Sequence, residues 1–139
     1  MNNIWERRNG NYTFLQIVAF YGTLEICKFL EREYFLPFYN NVDFYIDGET
    51  PFLKAAGETD GFKKCKWLFE RGADKRLKTK NGRNALHVAV DPDICSWLIE
   101  QGLKVNAKDE KGNTPLHIAL KEYHSEEKGD LLLEKGSRN

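Results

Sequence analysis

The six residues Thr114-Pro115-Leu116-His117-Ile118-Ala119 open a helix, and they return three times upstream in weaker form. A threonine hydroxyl can accept from a free backbone N–H of the first turn. Proline at the next position loses nothing by lacking an N–H, and its fixed φ suits a helix. The copies are Asn84-Ala85-Leu86-His87-Val88-Ala89, Thr50-Pro51-Phe52-Leu53-Lys54-Ala55 and Thr13-Phe14-Leu15-Gln16-Ile17-Val18. A unit that recurs at such intervals predicts a stack of similar supersecondary pieces, none with a core of its own.

The spacing of the punctuation supports that register. The opening residues 13, 50, 84 and 114 lie 37, 34 and 30 apart. Each opening is followed by two apolar runs at helical spacing, as in Phe14 to Tyr21 and Leu24 to Leu30, and Gly22 falls where the turn between them belongs. Gly72, Gly102 and Gly136 close the last three units as helix stops, while Tyr34 stands at that position in the first. Gly48, Gly82 and Gly112 each precede an opening residue by two, a repeated turn device. Residues 1 to 12, with Ile4 and Trp5 before Asn9-Gly10-Asn11, read as a short cap on the first unit.

Thr114 to Ala119 resembles the signature hexapeptide of the ankyrin repeat family, and Lys66-Trp67-Leu68-Phe69-Glu70-Arg71-Gly72-Ala73-Asp74 resembles its outer-helix ending. The interval is near the ~33 residues of that family. The resemblance covers residues 13 to 136 and implies an all-α solenoid of four helix-turn-helix repeats joined by hairpin-like loops, within one domain over 1–139. The departures are local. The first repeat has Phe14 for proline and Gln16 for histidine, the third is about three residues short between its helices, and the Tyr34–Thr50 link is four longer than the others.

The same count accounts for residues that could be mistaken for chemistry. Cys27, Cys65 and Cys95 each stand seven before a closing position. Repeats one helix diameter apart, roughly 10 Å, do not bring such a ladder to one metal with bonds near 2.3 Å. These cysteines read as small buried hydrophobes. Phe29, Trp67, Trp97 and Leu131 share another position and predict a continuous buried stripe, not an aromatic platform for nucleic acid. His87 and His117 occupy the same place in their hexapeptides, where the resemblance implies a histidine that braces neighbouring turns. His124 lies outside the pattern. No phosphate-binding glycine loop, paired-carboxylate motif or His-Glu-x-x-His segment is present, so the expectation is a protein that is not an enzyme and needs no cofactor or metal. An enzyme using Cys95 or His124 is the alternative.

Charge and apolar content narrow the partners. Twenty-one basic and 21 acidic residues cancel, so no overall field favours nucleic acid or an acidic membrane. No apolar run approaches the ~20 residues that span a bilayer, and the N-terminus lacks the order of a secretory signal. Three cysteines argue against a disulfide framework and for a reducing, cytoplasmic setting. Locally the balance is uneven: residues 61–84 carry net +7, between segments of −4 and −3. A nucleic-acid binder using that basic stretch is a second alternative. Lys63, Lys64, Lys66 and Arg71 within it read as solvated outer-helix positions.

The resemblance implies an extended concave surface for another protein, built from the fingers before each hexapeptide and from the exposed ends of the first helices. By register the fingers offer Tyr45, Ile46, Asp47 and Glu49, then Lys78, Lys80, Asn81 and Arg83, then Lys108, Glu110, Lys111 and Asn113. The first-helix positions are Phe20 and Tyr21, Gly57 and Glu58, Val90, and Lys121. An aromatic patch of Phe20, Tyr21, Tyr45 and Ile46 beside a basic finger is the sharpest candidate, since aromatic and arginine anchors dominate interfaces. The expected function is that of a monomeric protein-binding module acting as inhibitor, immunity protein or adaptor. A chain ending soon after its fourth repeat fits that role, and a secreted effector imitating host repeat proteins fits equally.

Overall fold

The computed structural model describes residues 12–35, 38, 42–122 and 125–136. Eight helices and no strand occur among them: α1 (Phe14–Tyr21), α2 (Leu24–Tyr34), α3 (Pro51–Ala56), α4 (Phe62–Glu70), α5 (Ala85–Val88), α6 (Pro92–Glu100), α7 (Pro115–Lys121) and α8 (Glu126–Glu134). They form four pairs. The first helices pack in sequence, α1 on α3 on α5 on α7, while the second helices lie behind them, with α2 against α4 and α6 against α8. This is an all-α helical repeat stack.

Local chemistry sets where each helix begins. Thr13, Thr50, Asn84 and Thr114 all N-cap, accepting the N–H of the residue three on. In three repeats that residue returns the bond. Gln16 Oε1 accepts the Thr13 N–H at 2.9 Å, and His87 Nδ1 and His117 Nδ1 accept from Asn84 and Thr114 at 3.2 and 3.0 Å. Gln16 therefore departs from histidine in name only, since its amide closes the same reciprocal box. The second helices of the last three repeats stop at Gly72, Gly102 and Gly136, whose φ of 96–103° is left-handed. In the first repeat α2 runs on through Tyr34, and the left-handed residue is Phe35, at φ 53°. The expected closing position thus shifts by one.

The core is one cluster running through the stack, with Phe52, Leu53, Leu68, Leu86, Ile94, Leu98, Leu116 and Leu132 fully enclosed. Each such side chain contributes about 1.5–3 kcal/mol on leaving water. Phe38 and Val42, from the long first link, join it, and the Phe38 ring meets Trp67 edge-on at 5.1 Å. All three cysteines are buried with their thiols facing carbonyl oxygens.

Three expectations are corrected. Phe29 is 45 % exposed, so the aromatic stripe is not continuous. Trp97 shows a contrast: its ring partners Phe52, Phe62 and Phe69 all belong to the preceding repeat, and among the described residues no repeat stands before that of Phe29. Trp97 and Leu131 are themselves only half-buried. Lys64 and Arg71 are not solvated. Lys64 Nζ donates to Phe20 O and Gly22 O at 3.3 and 2.6 Å, and Arg71 forms a two-pronged pair with Glu31 on α2 while lying over the Trp67 ring at 4.1 Å. Lys63 and Lys66 are exposed as expected. The cap expected over residues 1–12 falls, Tyr12 excepted, outside the described residues.

Candidate partner-binding surface

Three fingers precede the last three hexapeptides. The first turns on Asp47-Gly48, both at positive φ (51° and 83°), with Ile46 and Glu49 exchanging backbone bonds at 2.9 and 3.1 Å. An Asp-Gly pair is the usual filling of so tight a hairpin. The second and third fingers are a residue longer and share one internal brace. Thr79 Oγ1 accepts the N–H groups of Asn81 and Arg83. In the next finger Asp109 Oδ1 accepts those of Lys111 and Asn113. Burial pushes the Asp109 carboxyl up, but these N–H groups and Arg83 outweigh it and hold the group below its ordinary value.

The fingers are fastened edge to edge. Lys80 N–H donates to Gly48 O at 3.0 Å, and Glu110 N–H donates to Asn81 O at 3.1 Å. Tyr45 OH donates to Lys78 O at 2.6 Å. His87 Nε2 lies 2.9 Å from Asn113 O. A carbonyl can only accept, so Nε2 carries the proton and Nδ1 is left to accept from Asn84. Burial lowers the His87 pKa, which keeps this bracing tautomer neutral. The histidine expected to brace neighbouring turns does so here across repeats.

The structure divides the thirteen residues expected to meet a partner. Tyr21, at 58 % exposure, and Asp47, Lys78, Lys80, Lys108, Glu110 and Lys111 present exposed side chains on the fingers and the end of α1. Tyr45 is 42 % exposed but tied by its hydroxyl. Glu49 and Asn113 are half-buried, and the Asn113 carbonyl is taken by His87. Phe20 and Ile46, expected to be exposed, are 3 % and 5 % exposed. Both side chains are enclosed, so the proposed aromatic patch reduces to Tyr21 and Tyr45. Arg83 is also engaged: it lies 3.3 Å from Asp109 and grips Glu122 of the α7 end with bonds of 2.9 and 2.7 Å.

A recess of about 320 Å³ opens between the first two fingers and the helix ends, touching Asp47, Glu49, Lys80, Gly57, Val88 and Val90. It meets the end of α5, which is only four residues long, against six in α3 and seven in α7. After Val88 the chain turns extended at Ala89. The carbonyls freed by the missing turn are met from behind by Lys128, whose Nζ donates to His87 O at 3.1 Å and to Ala89 O. Lys128 is completely buried, and burial draws its pKa down to about 8.

Sequence reasoning overlooked Lys128, though register carried a signal. Lys64 and Lys128 both stand eight residues before a closing glycine, where the first and third repeats have Ile26 and Ile94. At both lysines the ammonium reaches backbone carbonyls of the repeat before. Each one caps the first helix of the repeat before it.

Among the described residues no cluster of metal-ligating side chains occurs. Burial raises the thiol pKa of Cys27, that of Cys65 to about 12 and that of Cys95 to about 11, so none rests as a thiolate nucleophile. His124 lies outside the described residues. No helix described is long and apolar enough to cross a membrane.

A repeated helix pair with a cap-braced hexapeptide and a hydrogen-bonded finger defines a class of protein-binding solenoid. The chain belongs to the ankyrin repeat family: the family model for ankyrin repeats (3 copies) matches residues 53–139. The first repeat lies ahead of that match, where Phe14 and Gln16 depart from the signature, yet it forms the same helix pair. A comparison with curated protein sequences returned no significant match. Ankyrin repeats are protein–protein interaction modules, and that is the class of function this chain has.

Proposed function

We propose that this chain is a non-enzymatic module that holds one partner protein against its finger tips and first-helix ends and, by covering that partner, inhibits or sequesters it. The observation that carries the reading is the fastening of the fingers by Lys80–Gly48 and Glu110–Asn81 backbone bonds. A row of side chains held on a rigid edge loses little entropy when a partner docks, and preorganisation of that kind raises affinity. Asp47, Lys78, Lys80, Lys108, Glu110, Lys111 and Tyr21 are the contact set. The basic 61–84 stretch favours protein over nucleic acid as partner, because its cations are dispersed: Lys64, Arg71, Lys75 and Arg83 bind groups of this same chain. An inhibitor, an immunity-type protein, an adaptor and a secreted effector would all use this surface, and the partner's identity separates them.

A photo-crosslinking residue placed at Lys80, and separately at Lys63 on the outer helix, tests the reading in extract of the native host. The expected result is one protein crosslinked from position 80 and not from 63. Equal or reversed yields would move the site off the fingers.

A further inference from the structure

The recess beside Gly57 is a built feature whose shape and charge go beyond a generic interaction surface. Val88 and Val90 supply apolar contacts beside Gly57, among finger residues that are mostly polar. It lies at the end of the short α5, whose His87 and Ala89 carbonyls are occupied by Lys128. At about 320 Å³ it sits at the small end of the range for ligand sites, about 300–1,000 Å³, which suits one side chain rather than a larger group. The rim carries Asp47 and Glu49 from the first finger and Lys80 and Arg83 from the second. Beyond it the second and third fingers also expose Lys78, Lys108 and Lys111 against the single exposed acid Glu110. Arg83 adds little to that excess because Asp109 and Glu122 already neutralise it.

We propose that this recess receives one apolar side chain of an acidic protein segment, whose carboxylates lie over the lysines of the second and third fingers. This rests on the finger surface being the binding face and names what it binds. The apolar side chain supplies the anchor that a desolvated pocket rewards. The lysine row supplies approach and orientation through charge complementarity, which acts chiefly on encounter rate and specificity.

Gly57 allows a clean test. Its φ and ψ are −83° and −5°, ordinary for any residue. A Cβ built there meets Val88 O at 3.6 Å and Leu53 O and Lys54 O at 3.7 Å, all normal contacts. Gly57→Leu therefore fills the recess without straining the backbone. Random dodecapeptides displayed on phage are selected on the full chain, and enriched peptides are remade with a fluorophore and titrated by anisotropy. The expected peptides carry one Leu, Ile, Phe or Met beside Asp or Glu. Their affinity falls about tenfold or more in Gly57→Leu, equivalent to roughly 1.4 kcal/mol. It also falls in Lys80→Glu, which alters only an exposed side chain and keeps the test independent of folding, and it weakens with salt.

Peptides that bind Gly57→Leu as well as wild type, but lose Lys80→Glu, would overturn the recess and leave the finger surface standing. Peptides indifferent to both variants would remove both readings, as would crosslinking from position 63 alone. Enrichment of basic peptides, no enrichment at all, or tighter binding to duplex or single-stranded nucleic acid than to any peptide would each overturn the proposal.

Discussion

Lys128 sits on α8 with no exposed surface and its ammonium turned to the carbonyls of His87 and Ala89. Removing its head leaves buried acceptors without those bonds, each a loss of about 1–3 kcal/mol. Lys128→Met, which keeps the stem, is expected to lower the unfolding free energy by about 1–3 kcal/mol at pH 7, read from urea titration. The group also has a pH signature. Its folded pKa of about 8 lies below the ~10.4 of an unfolded lysine. Between those values the unfolded chain binds more protons, so stability rises with pH. The desolvation cost is fully present below pH ~8 and is relieved as pH climbs toward ~10. A neutral amine still donates, so both carbonyls stay bonded. The difference between wild type and Lys128→Met should be flat from pH ~6 to ~7.5 and move in favour of wild type by on the order of 2–3 kcal/mol by pH ~10. A flat difference throughout would show the amine to be hydrated. Arg83 is the other residue whose role changed. With its side chain 19 % exposed and Asp109 nearly enclosed beside it, Arg83→Glu should cost about 2–3 kcal/mol by leaving a buried carboxylate facing like charge. An unchanged thermal midpoint would return Arg83 to the partner-facing set.

At the scale of helices and turns, two glycines four residues apart answer differently to the same change. Gly61 N-caps α4 at φ −86°, so backbone angle does not demand glycine. A Cβ there would lie 1.9 Å from Ala55 O at the end of α3, and that carbonyl belongs to the backbone. Gly61→Ala must therefore push α3 and α4 apart, with an expected loss of about 2 kcal/mol or more. Gly57→Ala meets only ordinary contacts and should be neutral or stabilise by up to about 1 kcal/mol through the unfolded chain. Thermal melts of the two variants check the pair, and equal midpoints would mean that the α3–α4 turn has slack. The third repeat is shortened differently. Its first helix ends after Val88, and a lysine from the next repeat, not another turn of helix, completes its bonding.

Across the whole molecule, stability is a sum of neighbour contacts, so the ends of the stack open before its middle. The three cysteines report this, because each is buried at one register position in repeats one, two and three. In native buffer a thiol-specific reagent should label all of them slowly. At urea concentrations below the main transition, Cys27 should react first, with Cys65 and Cys95 following only as the stack unfolds. Mass spectrometry of labelled peptides reads the order. Rapid labelling of Cys95 in the folded protein would instead revive a nucleophilic role for it.

The repeat register, the cysteine ladder and the helix starts were all legible in the chain, because caps, proline at the first helical position and closing glycines act within a few residues of themselves. Gln16 shows how far that reach extends: its amide replaces histidine using only bonds to Thr13. What sequence could not assign depends on which repeat stands next door. Phe29 and Trp97 share a register, yet one is exposed and the other half-buried, since among the described residues only Trp97 has a repeat before it. Phe20 and Ile46 looked like free contacts and are enclosed. Lys64 and Arg71 looked like solvated charge and Arg83 like a partner contact, but their own partners lie 26 to 44 residues away in sequence. Local bonding made the repeats predictable from sequence. Only the stacking of one repeat on another decided which charges were free, where the recess opened and which side chains a partner could reach.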